Sequence, residues 1–388
     1  MVSFPFATPH SDHQETEGAK LLAEATVVSA ELAGSPIWLA LGHDACRKTL
    51  SDHRFSREAA LGPDAPVIVR SAADPDVLTS IDPPRHAQLR RLIATAFSPR
   101  MVEAMAPRVQ QIVDDLLDTV QAGDRPADLV PSFVAPLPIT VICDLLGMPG
   151  ADHARIGAWS RKLMASTAYT PDEIAAAVTD IREYLSGLVA EKRANPGSDL
   201  TSVLAAAPEL TPVELLANLQ MLLIAGHETT VNQLGNSIVA LLRNPDQLAL
   251  LRAKPELMPQ AVEELMRYTR LTTSTLPRVA TEDVDLDGSL IKKGEAVIAL
   301  TGTANIDPRV FTEPAELNIE RTDRAGQLGF GHGTHFCLGA HLARLELRTA
   351  LTAVVTRFPD LALAVDESEL RWNEGTPVRA LKALPVTW

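Results

Sequence analysis

The chain has 388 residues with 49 acidic against 35 basic side chains, a net charge of −14 that argues against nucleic acid as the partner. Hydrophobic residues at 46% and charged ones at 22% describe an ordinary globular protein, and three cysteines exclude a disulfide framework and point to a reducing, cytoplasmic setting. No run of about eighteen apolar residues is present for a helical membrane span, and Met1–Phe6 reads as neither the charged nor the apolar part of a secretory leader.

No low-complexity tract, Gly/Ser linker or internal repeat divides the chain, so a single domain over residues 1–388 is expected. The N-terminal part mixes strand-like pieces such as Pro36–Leu41 with helix. Asp82-Pro83-Pro84-Arg85 reads as a helix start capped by Asp82, after which His86 and Arg90 fall four apart on one face. Two donors so placed suit a pair of carboxylates, although Arg85 and Arg91 would equally make a solvated basic face. From Pro83 to Leu271 the pattern is overwhelmingly helical.

One segment stands out, from Thr211 to Arg243. Thr211 can cap it, Pro212 fits the first helical position, Glu214 completes a capping box, and Asn244-Pro245 ends it. It is apolar on nearly all sides around Leu215–Ala225 and must therefore be buried. At its midpoint Ala225-Gly226-His227-Glu228-Thr229-Thr230 places small residues where a flat cofactor could meet backbone, beside an acid and an alcohol able to relay protons. The competing expectation for Thr229 is a bond back to the carbonyl four residues earlier, and for Glu228 a structural ion pair. Glu264 and Arg267, three apart, share a helix face. Past Leu276 the pattern turns to β, with Asp283–Leu286 and Ala296–Leu300 bracketing Asp287-Gly288 as a hairpin and Arg379–Val386 as a final strand. The class is mainly α with small β pieces.

Phe330-Gly331-His332-Gly333-Thr334-His335-Phe336-Cys337-Leu338-Gly339 sets one cysteine in a glycine-punctuated loop before a strongly helical segment. A thiolate there would lie near free helix N–H groups, and Gly339 leaves room for a flat ligand. One thiolate so framed suits axial ligation of haem iron. His332, His335, Cys337 and His341 also raise zinc, but Cys46 and Cys143 stand alone and supply no second ligand pair.

The decamer resembles the cysteine-ligand loop of the cytochrome P450 family, F-G-x-G-x-H-x-C-x-G, at every defined position. Ala225–Thr230 resembles that family's oxygen-activation motif, with Glu228 as acid and Thr229 as alcohol. Glu264/Arg267 resembles its E-x-x-R pair, and His86/Arg90 its H-x-x-x-R propionate clamp. Pro138–Pro149 and Ala304–Pro308 extend the likeness from about residue 80 to the end. Two positions depart from it: Glu316 stands where a third arginine is usual, with Arg321 as a substitute, and Ile306 replaces an arginine.

The resemblance implies the P450 fold, with haem b between the long central helix and the cysteine-loop helix. It implies Cys337 as iron ligand, and Glu228 and Thr229 as proton-delivery residues. His86, Arg90, Arg278 and His335 would serve as propionate donors, and Ala225, Gly226, Phe330 and Gly339 as residues against the cofactor. Cavity walls would come from Ala60–Ser80, Met164–Thr170, Leu219–Gly226, Leu271–Pro277 and Gly375–Pro377, and the hydroxyls of 272–275 point to a mostly apolar substrate with some polar groups. The implied reaction is hydroxylation or epoxidation of a natural-product intermediate. Electrons would come from a ferredoxin or flavoprotein reductase, steered by His332, His341, Arg344, Arg90 and Arg91. A coupling oxidase, a peroxygenase and a haem-binding sensor are the alternatives.

Overall fold

The longest helix, Pro212–Arg243, is set from its first residue. In the computed structural model, which describes residues 2–6, 11–63, 65–66, 74–164, 168–272, 274–323, 325–373 and 378–388 (backbone alone for 11–16), Glu214 N donates to Thr211 Oγ1 at 3.1 Å and Thr211 N to Glu214 Oε2 at 3.0 Å. At ~1.5 Å per residue its 32 residues span about 48 Å. It packs against Pro136–Leu146, His153–Met164, Pro171–Ala194, Met258–Thr269 and Ala340–Arg357, as a rod apolar on most sides requires. Leu219, Leu223, Leu234 and Ile238 join Leu89, Leu137, Ile181 and Leu351 in the main core, each fully buried side chain contributing about 1.5–3 kcal/mol. Among the described residues no helix is long and apolar enough to cross a membrane.

The β structure lies at the margin. A six-stranded sheet runs in the order Val2–Phe4, Val27–Leu32, Ser35–Ala40, Ala296–Ala299, Arg278–Ala280 and Phe55–Ser56, with smaller sheets of three and two strands. The turn at Asp287-Gly288 forms as expected, with φ of +53° and +84°, but it joins Val284–Leu286 to Ser289–Ile291. Ala296–Ala299 is instead parallel to Ser35–Ala40 and antiparallel to Arg278–Ala280. A two-residue turn pairs only the strands that flank it, and Gly294 at φ +88° makes a second turn that sends the chain into the larger sheet. The expected final strand over Arg379–Val386 is also corrected. Only Pro385–Thr387 is strand, because the preceding residues change partners: Lys382 N donates to Arg371 O and Leu384 N to Asp128 Oδ1, both at 2.8 Å.

Candidate functional site

Gly331 and Gly333 have φ of +72° and +70°, and a Cβ on Gly333 would fall 2.5 Å from the Leu50 carbonyl oxygen, so that position requires glycine. Cys337 N donates to Phe330 O at 2.9 Å and closes the loop, and Ala340–Arg357 begins three residues later. Cys337 is enclosed by protein except toward the cavity that it lines, where it is exposed. Burial pushes its thiol up, against the Gly339 N–H and the Arg90 and Arg344 guanidiniums, which pull it down. The helix start by itself therefore does not make the thiolate expected from sequence; a coordinated metal ion would.

The cavity, of about 250 Å³, lies between the cysteine loop and the long helix, with Phe330, Cys337 and Gly339 on one side and Ala225, Gly226 and Thr229 on the other. It adjoins a second cavity of about 310 Å³, sharing Thr79, Met221, Ala225, Thr229 and Thr272 with it. A Cβ on Gly339 would meet nothing nearer than Phe97 at 3.9 Å. One on Gly226 would lie 2.7 Å from Ile142 Cδ1, so helix packing already demands that glycine. Asn218 pins the segment that carries the lining residues Val77 and Leu78: its Oδ1 accepts from Leu78 N, and its Nδ2 donates to Asp76 O, both at 2.8 Å. Sequence reading missed Asn218, whose partners lie some 140 residues away.

A group of basic side chains collects at the rim. The rings of His86 and His335 meet at a tilt of 52° with centroids 4.4 Å apart, and Arg90 Nη2 donates to Phe336 O at 2.7 Å. Arg278 Nη1 donates to Phe55 O at 3.1 Å, and strand pairing of Phe55–Ser56 with Arg278–Ala280 brings in Arg57, which sequence reading overlooked. Burial, then the charge of Arg278, lowers Arg57 to about 10; burial lowers Arg278 to about 10; and burial first, then the surrounding guanidiniums, takes His86 to about 4 and His335 to about 2. Both histidines are thus neutral. Asp82 is the carboxylate beside them, and it does not cap a helix as expected: it accepts from Ser56 Oγ, Arg57 N and Glu58 N. Three guanidiniums against one carboxylate leave about two positive charges unbalanced (3 − 1), and His86 Nε2 and Arg278 Nε are buried without partners among the described residues. That deficit fits a dianion such as the two propionates of haem. The other two basic residues of the 85–91 stretch are separate: Arg85 pairs with Glu214, and Arg91 is exposed.

Thr229 Oγ1 donates to Ala225 O at 2.6 Å, the backbone bond weighed above, while its oxygen still lines the cavity. Glu228 does not line either cavity; it is 9% exposed and lies on the side of Arg161 and Asn232. Burial raises it to about 7, against the pull of Arg161 and Asn232. Glu346, also missed from sequence, is 2% exposed, lines the cavity with Oε2 unpartnered among the described residues, and is raised well above the carboxylate range by burial.

Glu264 and Arg267 form a buried two-pronged pair at 2.8 Å, and Arg267 also donates to the carbonyls of Asn305, Pro314 and Glu316. Arg321 takes the third place, donating from Nε to Glu264 Oε2 at 3.0 Å, while Glu316 turns its side chain outward and contributes only its carbonyl. The change at Ile306 leaves Asp307 beside it held by Arg309 and the His43 N–H.

Val77, Thr79, Met164, Ile224, Ser274, Thr275 and Leu276 line the second cavity, from segments expected as its walls. Thr273, 64, 67–73, 165–167 and 375–377, also expected there, lie outside the described residues. The expected basic patch is thinner than foreseen, because Arg344 is paired with Glu263 and stacked on Phe330 at 4.4 Å, leaving Arg91 and His341 exposed. Among the described residues no three His, Cys, Asp or Glu side chains gather as a metal would need, and Cys46 and Cys143 are buried in separate helices.

Comparison with known proteins agrees with this architecture. Residues 164–366 match the family described as Cytochrome P450. The chain is 44% identical to nocardicin C N-oxygenase of Nocardia uniformis subsp. tsuyamanensis, over 100% of this chain and 98% of that protein. It is also 44% identical to cytochrome P450 monooxygenase PikC of Streptomyces venezuelae, over 92% and 86%. The crystal structure of the LnmA cytochrome P450 hydroxylase, from the leinamycin biosynthetic pathway of Streptomyces atroolivaceus S-140, superimposes with a TM-score of 0.92 at 41% identity, covering 100% of both chains. The chain belongs to the cytochrome P450 family, whose cofactor is haem iron.

Proposed function

We propose that the chain is a haem-thiolate monooxygenase in which Cys337 ligates the iron of haem b, seated against Ala225, Gly226, Phe330 and Gly339. The observation that carries this reading is the surplus of about two positive charges, from buried Arg57 and Arg278 and half-buried Arg90 against Asp82, beside the cavity into which Cys337 opens. When bound, haem iron supplies activation of dioxygen, consuming two electrons and two protons to insert one oxygen atom into the substrate.

The chain's own groups hold, shield and supply protons. Arg57, Arg90 and Arg278 would neutralise the two carboxylates, and neutral His86 and His335 would donate N–H bonds to them. Thr229 spends its proton on Ala225 O, so its oxygen offers lone pairs to a water or proton-bearing group in the cavity. Glu228 holds a proton below about pH 7 and is the acid next to Thr229 in the chain, so a side-chain rotation out of the Arg161 and Asn232 side would let it give that proton to Thr229. Glu264, Arg267 and Arg321 keep the segments behind the cysteine loop in place.

A cavity of about 310 Å³ with Val77, Met164, Ile224 and Leu276 among the hydroxyls of Thr79, Ser274 and Thr275 suits a medium-sized, mostly apolar molecule with a few polar groups. The names of the relatives support a natural-product intermediate as that molecule and hydroxylation or epoxidation as the outcome. The electron donor in this reading is a ferredoxin or flavoprotein reductase, which the exposed Arg91 and His341 would meet. The test is turnover with NAD(P)H, reductase and ferredoxin under ¹⁸O₂, on compounds first chosen for a spin-state shift. One labelled oxygen in the product is expected; products formed without label would overturn the assignment to oxygen insertion.

A further inference from the structure

Residues 227–229 fan around the long helix at ~100° per residue, so each faces a different neighbourhood. Thr229 lines the cavity, Glu228 lies beyond its wall, and His227, 2% exposed, faces the helix His153–Met164. Gly157 on that helix is close by: a Cβ there would make ordinary contacts, 3.7 Å from His227 Cε1 and 3.5 Å from Arg161 Nη1. His227 Nδ1 is buried without a hydrogen-bond partner among the described residues and stands 3.6 Å from Glu228 Oε1. That is too long for a hydrogen bond and short enough for a small side-chain rotation to close. Arg161 is the charged group from the facing helix whose field reaches both side chains, and Asn232 is the polar neighbour on their own helix.

We propose that His227 is a positioning residue for Glu228 that passes protons to it from the seam between the two helices. The proposal rests on the roles given above to Glu228 and Thr229. The transfer balances: a hydronium proton adds at Nε2, the Nδ1 proton passes to the Glu228 carboxylate, and the ring is left as the Nε2–H tautomer; it resets when a side-chain rotation brings Nδ1 to water, where Nδ1 takes up a proton and Nε2 gives one up. Burial favours that direction, because it lowers His227 to about 3 and raises Glu228 to about 7, so the proton moves from the weaker base to the stronger. Arg161 also disfavours a lasting imidazolium.

The experiment compares holoenzyme with His227→Gln, His227→Leu and Glu228→Gln. The infrared carboxylic C=O band of Glu228, identified by its loss in Glu228→Gln, is followed on transfer to D₂O, alongside the solvent isotope effect on turnover and the share of reducing equivalents lost to hydrogen peroxide. Thermal unfolding and the carbon monoxide complex check that each variant is folded and loaded. Exchange at Glu228 is expected to slow about tenfold or more in both His227 variants, with peroxide rising and the isotope effect enlarged. His227→Gln keeps volume and polarity but cannot relay a proton, so wild-type exchange in that variant means that His227 is only structural, and wild-type exchange in His227→Leu means that it has no role. Either outcome overturns the proposal. Failure of the wild-type protein to give a thiolate-type carbon monoxide complex would instead overturn the haem-thiolate reading.

Discussion

Replacing Arg321 by methionine tests the account of how this chain keeps its buried Glu264–Arg267 pair without the usual third arginine. The Arg321 side chain is 8% exposed; Nε reaches Glu264 Oε2 at 3.0 Å, Nη1 reaches Asp323 Oδ2 at 2.7 Å, and Nη2 reaches the Glu316 carbonyl at 3.1 Å. Without the guanidinium, Glu264 keeps Arg267 and the Asn318 N–H, but Asp323 and the Glu316 carbonyl lose a donor. Removing one partner of a buried pair costs about 3–5 kcal/mol, and the partners left to Glu264 place this case near 3. An unfolding entropy of ~2.1 cal/mol/K per residue over 388 residues is about 0.8 kcal/mol/K, so the melting midpoint should fall by about 4 °C. Glu316→Ala, which removes an exposed side chain and keeps the carbonyl, should change stability by less than ~0.5 kcal/mol. Calorimetry on both variants, with bound haem measured, decides the matter. An Arg321→Met midpoint within 1 °C or so of wild type, or an equal loss in Glu316→Ala, refutes the substitution of one arginine for the other.

Gly226→Ala gains helix propensity of about 1 kcal/mol but drives a Cβ to 2.7 Å from Ile142 Cδ1, and such overpacking costs about 1–3 kcal/mol. A net loss is expected that Ile142→Val partly restores; a double-mutant cycle without coupling would contradict it. Arg57→Met removes one charge-assisted donor worth about 1.5–3 kcal/mol, so haem transfer to an acceptor protein should become about 10- to 100-fold more favourable, with Arg57→Lys in between. Unchanged retention would remove Arg57 from the site. Glu228 ionises near 4.5 when unfolded and near 7 when folded, so its penalty is absent below pH 4.5, grows between 4.5 and 7, and reaches about 3 kcal/mol above that. Glu228→Gln should therefore be more stable than wild type at pH 8 and similar to it at pH 4, read from denaturant midpoints.

Local signals carried far. Thr211, Pro212 and Glu214 mark a helix start because capping chemistry is contained within four residues, and the glycines of the cysteine loop announce positive φ by themselves. Signals that depend on distant strands or helices were silent. Arg57 is a lone arginine until strand pairing sets it beside Arg278, and Glu346 reads as one polar residue of an amphipathic helix until that turn proves to be buried. Asp82 had a plausible local role as a cap, yet its carboxylate serves the turn at 56–58, a contact 24 to 26 residues back in the chain. Gly226 does line the cavity, but the side of its Cα where a Cβ would stand faces Ile142, from a helix some 80 residues earlier, which its local sequence does not show. The strand after Asp287-Gly288 was misassigned because β periodicity marks strands without naming their partners.

The central claim is that Cys337 ligates haem iron as a thiolate. The reduced protein, loaded with haem and exposed to carbon monoxide, should show the strongly red-shifted Soret band of a thiolate-ligated haem. Cys337→Ala should lose that band even where haem is retained by the basic rim. A Cys337→Ala protein that keeps the band, or a wild-type protein that binds haem without ever showing it, would contradict the account.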